Sequence, residues 1–562
     1  MVRKSAASAQ EEYFDLGTYT RPISTTNKDA QIWFDRGLIW TYGFNHEEAA
    51  ECFKKSIHHD TACAVAYWGL AFTLGPNYNK PWDFFDDDEL ERTLKKVSEV
   101  ARQAEKISGT ASPMEQALIK TLLSRYPGDT SRKDWSRWNQ AYADEMRFVY
   151  EKFPDHLDVA ALFCDALMNL TPWKLWDIKT GQPAKGAYTM EVKAILDRAF
   201  TQEKAFQHPG LLHIFIHFIE MSPTPEAGLT IADQLRGLVP DAGHLQHMPS
   251  HIDVLCGDYR RAMASNLDAI RADEKFFSRT SPKKFYALYR CHDFHFRIYS
   301  AMLCGQSKVA LETIAGLEAA LPEELLRIES PPMADWLEAF LTMRVHALVR
   351  FGRWEDLLAL ELPKDQVLYC TTTAMTHYGK ALALAITNAG PAKVERQRAL
   401  FTAAVQRVGG SRTLFNNTCR DILQIASAML AGEIEYRKGN HEDAFSHLRE
   451  AIYRDDNLRY DEPWGWMQPT RHAYGALLLE QNRVEDAAAI YSADLGMDDS
   501  IPRARQHPNN VWALHGYHEC LTRLGRFAEA RILEPQLRIA LAVADIPVKS
   551  SCFCRQVLKS VL

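Results

Sequence analysis

Apolar residues along most of this chain recur at i, i+3, i+4 and i+7, the period of a helix that buries one face. The clearest stretch is WFDRGLIWTYGFNHEEAAECFKKSIHHD, where the pattern breaks once at a short polar turn and resumes. Trp33, Gly37 and Trp40 before the turn, with Ala49, Phe53 and Ser56 after it, predict two antiparallel helices packed through small and aromatic side chains. Gly37 is the residue that lets the second helix come close. CAVAYWGLAFTL opens the next unit, and GRWEDLLAL, GNHEDAFSHLREAI, NRVEDAAAIY and GRFAEARIL each start a second helix after a tight turn. Local signals agree. Ser112 and Glu115 form a capping box ahead of SPMEQALIKTLL, the Asp86 to Asp88 run reads as N-terminal capping, and Pro154 closes a helix that starts at Asp134. Sustained period-two alternation is scarce, so strands are not expected.

The spacing of the first unit is that of a tetratricopeptide repeat. The expected fold is therefore all-α, a right-handed TPR-like α-solenoid of stacked helical hairpins over residues 29–543. An N-terminal arm (1–28) and a C-terminal tail (544–562) flank it, and residues 157–303 form the core of a histidine-lined groove. One continuous superhelix accounts for 562 residues better than several separate domains.

Charge and composition narrow the partners. With a net charge of -7 and no basic stripe or arm beyond the first few residues, nucleic acid is not an expected partner. No apolar run approaches the roughly 20 residues that span a bilayer, so no membrane is expected either. The short basic start lacks an apolar core, which points away from a secretory leader, and KSVL matches neither a prenylation box nor a peroxisomal tripeptide. A cytoplasmic location is the default expectation. Eleven scattered cysteines without a pairing framework read as free thiols, and the CxC of Cys552 and Cys554 as inert.

Residues 208–262 carry the unusual chemistry. His213, His217 and Glu220 fall at i, i+4 and i+7, and His244, His247 and His251 at i, i+3 and i+7, each set confined to a narrow arc of a helix face. His292 and His295 follow in the next first helix. In tetratricopeptide arrays, first-helix positions 2, 5, 9 and 12 face the concave surface. That register places all eight residues in one groove, on helices about 8–10 Å apart. Asp165 and Asn169 on the preceding helix join the candidate site, and Pro249 is expected to kink or restart its helix. A lone helical histidine is ordinarily a satisfied or exposed side chain, and His46, His58, His59, His441 and His507 are read so. Eight aligned groups favour a metal.

The segments FNHEEA, AYWGLA with GPNYN, ALMNLTPWKLW, HPGLLHIFIHFIE, GHLQHMPSHI, HDFHF and DEPWGWMQP, in this order, resemble a group of bacterial and fungal tetratricopeptide-repeat proteins with HxxxHxxE and HMPSH segments. The similarity runs from about residue 30 to 530. It implies the α-solenoid fold and no settled reaction. Where those relatives tend to have Asn inside HDFHF, this chain has Asp293, a further carboxylate for the site.

The candidate ligands are nitrogen and oxygen donors: His213, His217, Glu220, His244, His247, His251, His292 and His295. They exceed one tetrahedral ion, so one or two ions of copper, iron, zinc or manganese are expected. Asn77 and Asn79 of GPNYN, Trp173 and Trp176 of PWKLW, Asp165, Asn169 and Asp293 are the candidate substrate-binding residues. Three functions follow. One is oxidative modification of a small organic molecule by an activated metal, which the surrounding aromatics favour; another is hydrolysis by metal-bound water with Glu220 as general base. The third is a non-enzymatic scaffold that binds a peptide or protein in the groove.

Overall fold

The computed structural model describes residues 13–126, 134–281 and 284–555, and these are all-α, a succession of stacked antiparallel helical hairpins. Helices α1 (Lys28–Tyr42) and α2 (His46–His59) form the first hairpin, and α3 (Ala64–Thr73) stacks on it. The Phe53 ring is clasped between two glycines: a Cβ at Gly37 would stand 2.8 Å from it and one at Gly69 2.5 Å. The same clasp recurs far down the chain. Tyr491 lies between Gly475 and Gly516, where added Cβ atoms would stand 2.6 and 2.4 Å away. Close helix packing at both places thus depends on the missing side chain.

Next come α4 (Asp87–Ile107), capped by Asp86, and α5 (Pro113–Arg125), which carries the Ser112–Glu115 capping box. They are followed by α6 (Trp135–Lys152), α7 (Leu157–Met168), α8 (Thr189–Ala199), α9 (Pro209–Ile219) and α10 (Leu229–Leu235). The HMPSH segment does not form one helix. It divides into α11 (Gly243–His247) and α12 (Pro249–Leu255) at Met248, because Pro249 has no N–H to continue the ladder. Then α13 (Tyr259–Phe277) pairs with α14 (Ala287–Leu303), and hairpins such as Cys419–Arg437 with His441–Asp456 continue to Phe527–Val543. Among the described residues the strands are two residues each, Thr413–Leu414 against Asn417–Thr418. No helix there is long and apolar enough to cross a membrane.

The interior consists mainly of two hydrophobic cores, one built from residues 14–289 and one from 259–554, which meet at α13 and α14. The histidine helices lie at that seam. Both ends of the described chain fold back: Tyr19 donates its hydroxyl to Asp158 on α7 at 2.7 Å, and Asp545 donates its N–H to the Gly305 carbonyl at 3.1 Å. Nine cysteines are free, but Cys552 and Cys554, expected as thiols, are joined in a disulfide, their Cα atoms brought to 5.2 Å by the turn between them.

Candidate metal centre

Four imidazoles are tied at Nδ1 to an oxygen, an acceptor-only carbonyl or amide for His213 and His247 and the Glu220 carboxyl for His217 and His251. His213 on α9 donates to the Tyr42 carbonyl at 2.6 Å, and His217, one turn on, donates to Glu220 Oε1 at 2.9 Å. His251 on α12 donates to the other Glu220 oxygen at 2.5 Å, so one carboxylate orients a histidine from each of two helices. His247 on α11 donates to Asn266 Oδ1 at 2.6 Å, an oxygen identified by the Asn266 amide NH2 group, which donates to the Ala262 carbonyl. The carbonyl and amide tethers fix the tautomers of His213 and His247 and leave Nε2 with a bare lone pair, and Glu220 in its ionised form does the same for His217 and His251.

Those lone pairs converge. The Nε2 atoms of His213 and His217 are buried without a hydrogen-bond partner, as are both nitrogens of His244 and Nδ1 of His292. Nε2 of His247 stands 2.7 Å from Nε2 of His251, so with Glu220 ionised two acceptors face each other where an unpaired polar group already costs about 1–3 kcal/mol. Three groups bring their donor atoms within 4.8 Å of one another: His213, His217 and His244; His247, His251 and His292; and the hydrogen-bonded trio His217, Glu220 and His251. Each group can hold a metal ion. The two tri-histidine sets adjoin, with ring centroids 5.7 Å apart both for His217 and His251 and for His244 and His247. Burial keeps the imidazoles neutral, the form that ligates: His217 and His247 fall to about 3, and His213, His244, His251 and His292 lie well below their ordinary range, with neighbouring rings adding to the effect.

The remaining sequence candidates scatter around this centre. His295 stands outside both sets, its Nε2 2.8 Å from Met467 Sδ and its ring against Phe340. Asp293 lies behind His247, 3.4 Å from its Nδ1, and shares a hydrogen bond with Asp273; burial and mutual repulsion raise its carboxyl. Asp165 lines a small cavity beside His213, both oxygens unpartnered and the group pushed up to about 6 by burial, while Asn169 is spent capping α7 onto the Asp165 carbonyl. Trp173 and Asn79 line a second cavity, which opens on the centre; Asn77 lines two neighbouring cavities, and Trp176 instead packs on Phe218 and donates to its carbonyl.

The cavity that opens on the centre holds about 640 Å³ of atom-free space, part of it open to solvent, and His217, His251 and His292 are among its lining residues. Its far wall comes from residues with no assigned role in the sequence reading: Trp336, Phe415, Asp461 and Glu462. Phe415 seats its ring 4.9 Å from His292. Glu462 lies within hydrogen-bonding reach of Glu220, Trp173 and Tyr460; burial, then the Glu220 charge, raises its carboxyl, and burial raises Glu220 as well. The one signal for this wall in the sequence is the DEPWGWMQP segment, which stands in the resemblance without a role. Backbone strain also gathers here. Six residues other than glycine have positive φ among those described; three are asparagines, and the other three, Phe44 (55°), Trp173 (52°) and Phe415 (48°), all face the centre or its cavity.

No family model matches the chain, and no curated protein matches it. Among solved structures it is similar to a chain in the structure of Naa15/Naa10 bound to HypK-THB, at 12% identity over 92% of this chain and 71% of that one, with a TM-score of 0.21. A likeness at that level carries no functional inference. Fold and site by themselves define an all-α helical-repeat protein whose histidine clusters can hold metal ions.

Proposed function

We propose that this chain is a metal-dependent enzyme that holds two transition-metal ions, one per tri-histidine set, and oxidatively modifies a small organic molecule in the adjoining cavity with dioxygen as oxidant. The observation that carries the reading is the convergence of lone pairs, above all the 2.7 Å approach of His247 Nε2 to His251 Nε2 with both Nδ1 atoms committed elsewhere. His247 and His251 would hold a cation through these nitrogens, which would replace the repulsion with coordination. The inner donors are neutral imidazoles, a set that leans to copper over the carboxylate-rich surroundings iron and manganese prefer. Copper at such a site supplies one-electron redox chemistry toward dioxygen.

The protein's own groups have separate tasks. Glu220 and Asn266 hold ring orientation, Phe44 stacks on His217 and His244 and dries that face, and Tyr289 packs edge-on to His244. Glu462, whose Oε1 has no hydrogen-bond partner, is the carboxyl placed to take or give a proton in the cavity, since both Glu220 oxygens are hydrogen-bonded to histidine. This division also weakens the hydrolytic reading with Glu220 as base. A peptide scaffold is less favoured because side chains from residues 413–467 pack across the histidine helices.

Elemental analysis of protein purified without an affinity tag tests the reading. Two equivalents of transition metal per chain are expected, with His213→Ala and His247→Ala each losing one. Absence of metal, together with a melting temperature indifferent to added copper, iron or zinc, overturns it; metal without oxygen uptake on any substrate removes the oxidative part alone.

A further inference from the structure

The cavity beside the histidines has a chemical bias of its own. Its walls are aromatic, with Phe84, Trp173, Tyr289, Trp336 and Phe415 lining one space, and its charged lining residues are both acids. Among the described residues no lysine or arginine lines it. Asp461 is already satisfied, accepting from the Asn416 N–H at 3.1 Å and from the Asn417 side chain. Glu462 is not: its Oε1 is buried with no hydrogen-bond partner.

A buried carboxylate oxygen without a donor is costly, and a ligand that brings a donor, better a charged one, relieves that cost. An anionic ligand would bring Oε1 no donor and would set a further negative group beside two buried acids. A neutral apolar one would leave Oε1 orphaned. An ammonium group gains both from the Glu462 oxygen and from the faces of the rings. The strained backbone at Trp173 and Phe415 fits this assignment, because it holds two of those rings in the wall.

We infer that the cavity takes a small organic amine in its protonated form, with the ammonium at Glu462 and the carbon skeleton between Trp173, Trp336 and the lining histidines His217, His251 and His292. The inference rests on the proposed reading only in taking this cavity as the one that serves the metal centre. Both the amine class and the location are carried by the lining.

Isothermal titration of the full-length protein, once metal-loaded and once stripped with chelator, tests it with three probes of similar shape: 2-phenylethylammonium, 2-phenylethanol and 3-phenylpropionate. The ammonium is expected to bind at least about tenfold more tightly than either other probe. Glu462→Gln, which keeps shape and removes the ionisable carboxyl, is expected to bring ammonium and alcohol within about threefold while metal content stays as in the wild type. Trp336→Leu is expected to weaken the ammonium and leave metal content unchanged, a second readout should Glu462→Gln fold poorly. Equal or tighter binding of the alcohol or the propionate overturns the inference, as does an ammonium preference that survives Glu462→Gln. Loss of metal in Glu462→Gln also overturns it, by making Glu462 a ligand. An ammonium preference in protein that never binds metal supports the amine site and defeats the metal reading, so the two fail separately.

Discussion

Replacing Glu220 by glutamine separates an orienting carboxylate from a passive one. The wild-type group accepts from His217 Nδ1 at 2.9 Å and from His251 Nδ1 at 2.5 Å, and so fixes one ligand in each tri-histidine set. Glutamine has one acceptor oxygen and an NH2 group. Whichever imidazole meets the NH2 must turn its Nδ1 into an acceptor, which moves its proton to Nε2 and removes it as a ligand. Loss of such an outer partner costs about 10–100-fold in metal affinity, roughly 1.4–2.7 kcal/mol. Titration of copper or zinc into chelator-stripped protein against a competing indicator should therefore show one of two ions weakened by that factor and the other little changed. Because the amide matches the carboxyl in shape, the melting temperature of the metal-free variant should stay close to wild type. Two ions bound as tightly as in the wild type would refute the argument. That result would mean that burial, which raises the Glu220 carboxyl, keeps it protonated and donating even with metal present.

His244→Ala should lose one metal equivalent, whereas His295→Ala should keep both, since His295 faces Met467; elemental analysis of the two variants side by side decides this, and loss from His295→Ala would place it among the ligands. Gly69→Ala sets a methyl 2.5 Å from the Phe53 ring and should destabilise by about 1–3 kcal/mol, read as a lower melting temperature; an unchanged one would show that the first repeats yield freely. The metal-free protein should weaken in mild acid. Burial lowers His295 and His346 to about 3, below the unfolded value near 6.5, so as pH falls through that interval the unfolded chain binds protons that the folded one refuses. Stability then drops by up to about 1.4 kcal/mol per pH unit for each group. Urea titrations at pH 6.5 and 5 check this, and equal midpoints would sink it.

Much of the architecture was legible because repeat packing writes itself locally. Gly37 opposite Phe53, the Ser112–Glu115 box and the Asp86 cap each act within a few turns of their own residues, so pattern alone locates them. The histidine clustering was legible for the same reason: His213 and His217, or His247 and His251, need only helical spacing to converge. Pro249 carried its own break. What pattern did not reveal was the opposite wall. Glu462, Phe415 and Trp336 reach the centre through tertiary packing between distant segments, and nothing in their local periodicity marks them. Nor does spacing distinguish a ligand from its neighbour. His295 shares the face of His292, but Met467 arrives at its Nε2 from a part of the chain that helical geometry cannot foresee.

The wall formed by residues 413–467 also bears on how the molecule unfolds. In an ordinary stacked array each repeat answers only to its neighbours, stability is a sum of local terms, and the array frays from its ends. Here His295 meets Met467 across 172 positions, and Glu462 reaches Glu220. Repeats that would otherwise melt independently are bound into one cooperative unit. The pocket exists only once the later repeats have been made and packed, so a ribosome must finish most of the chain before the centre has walls.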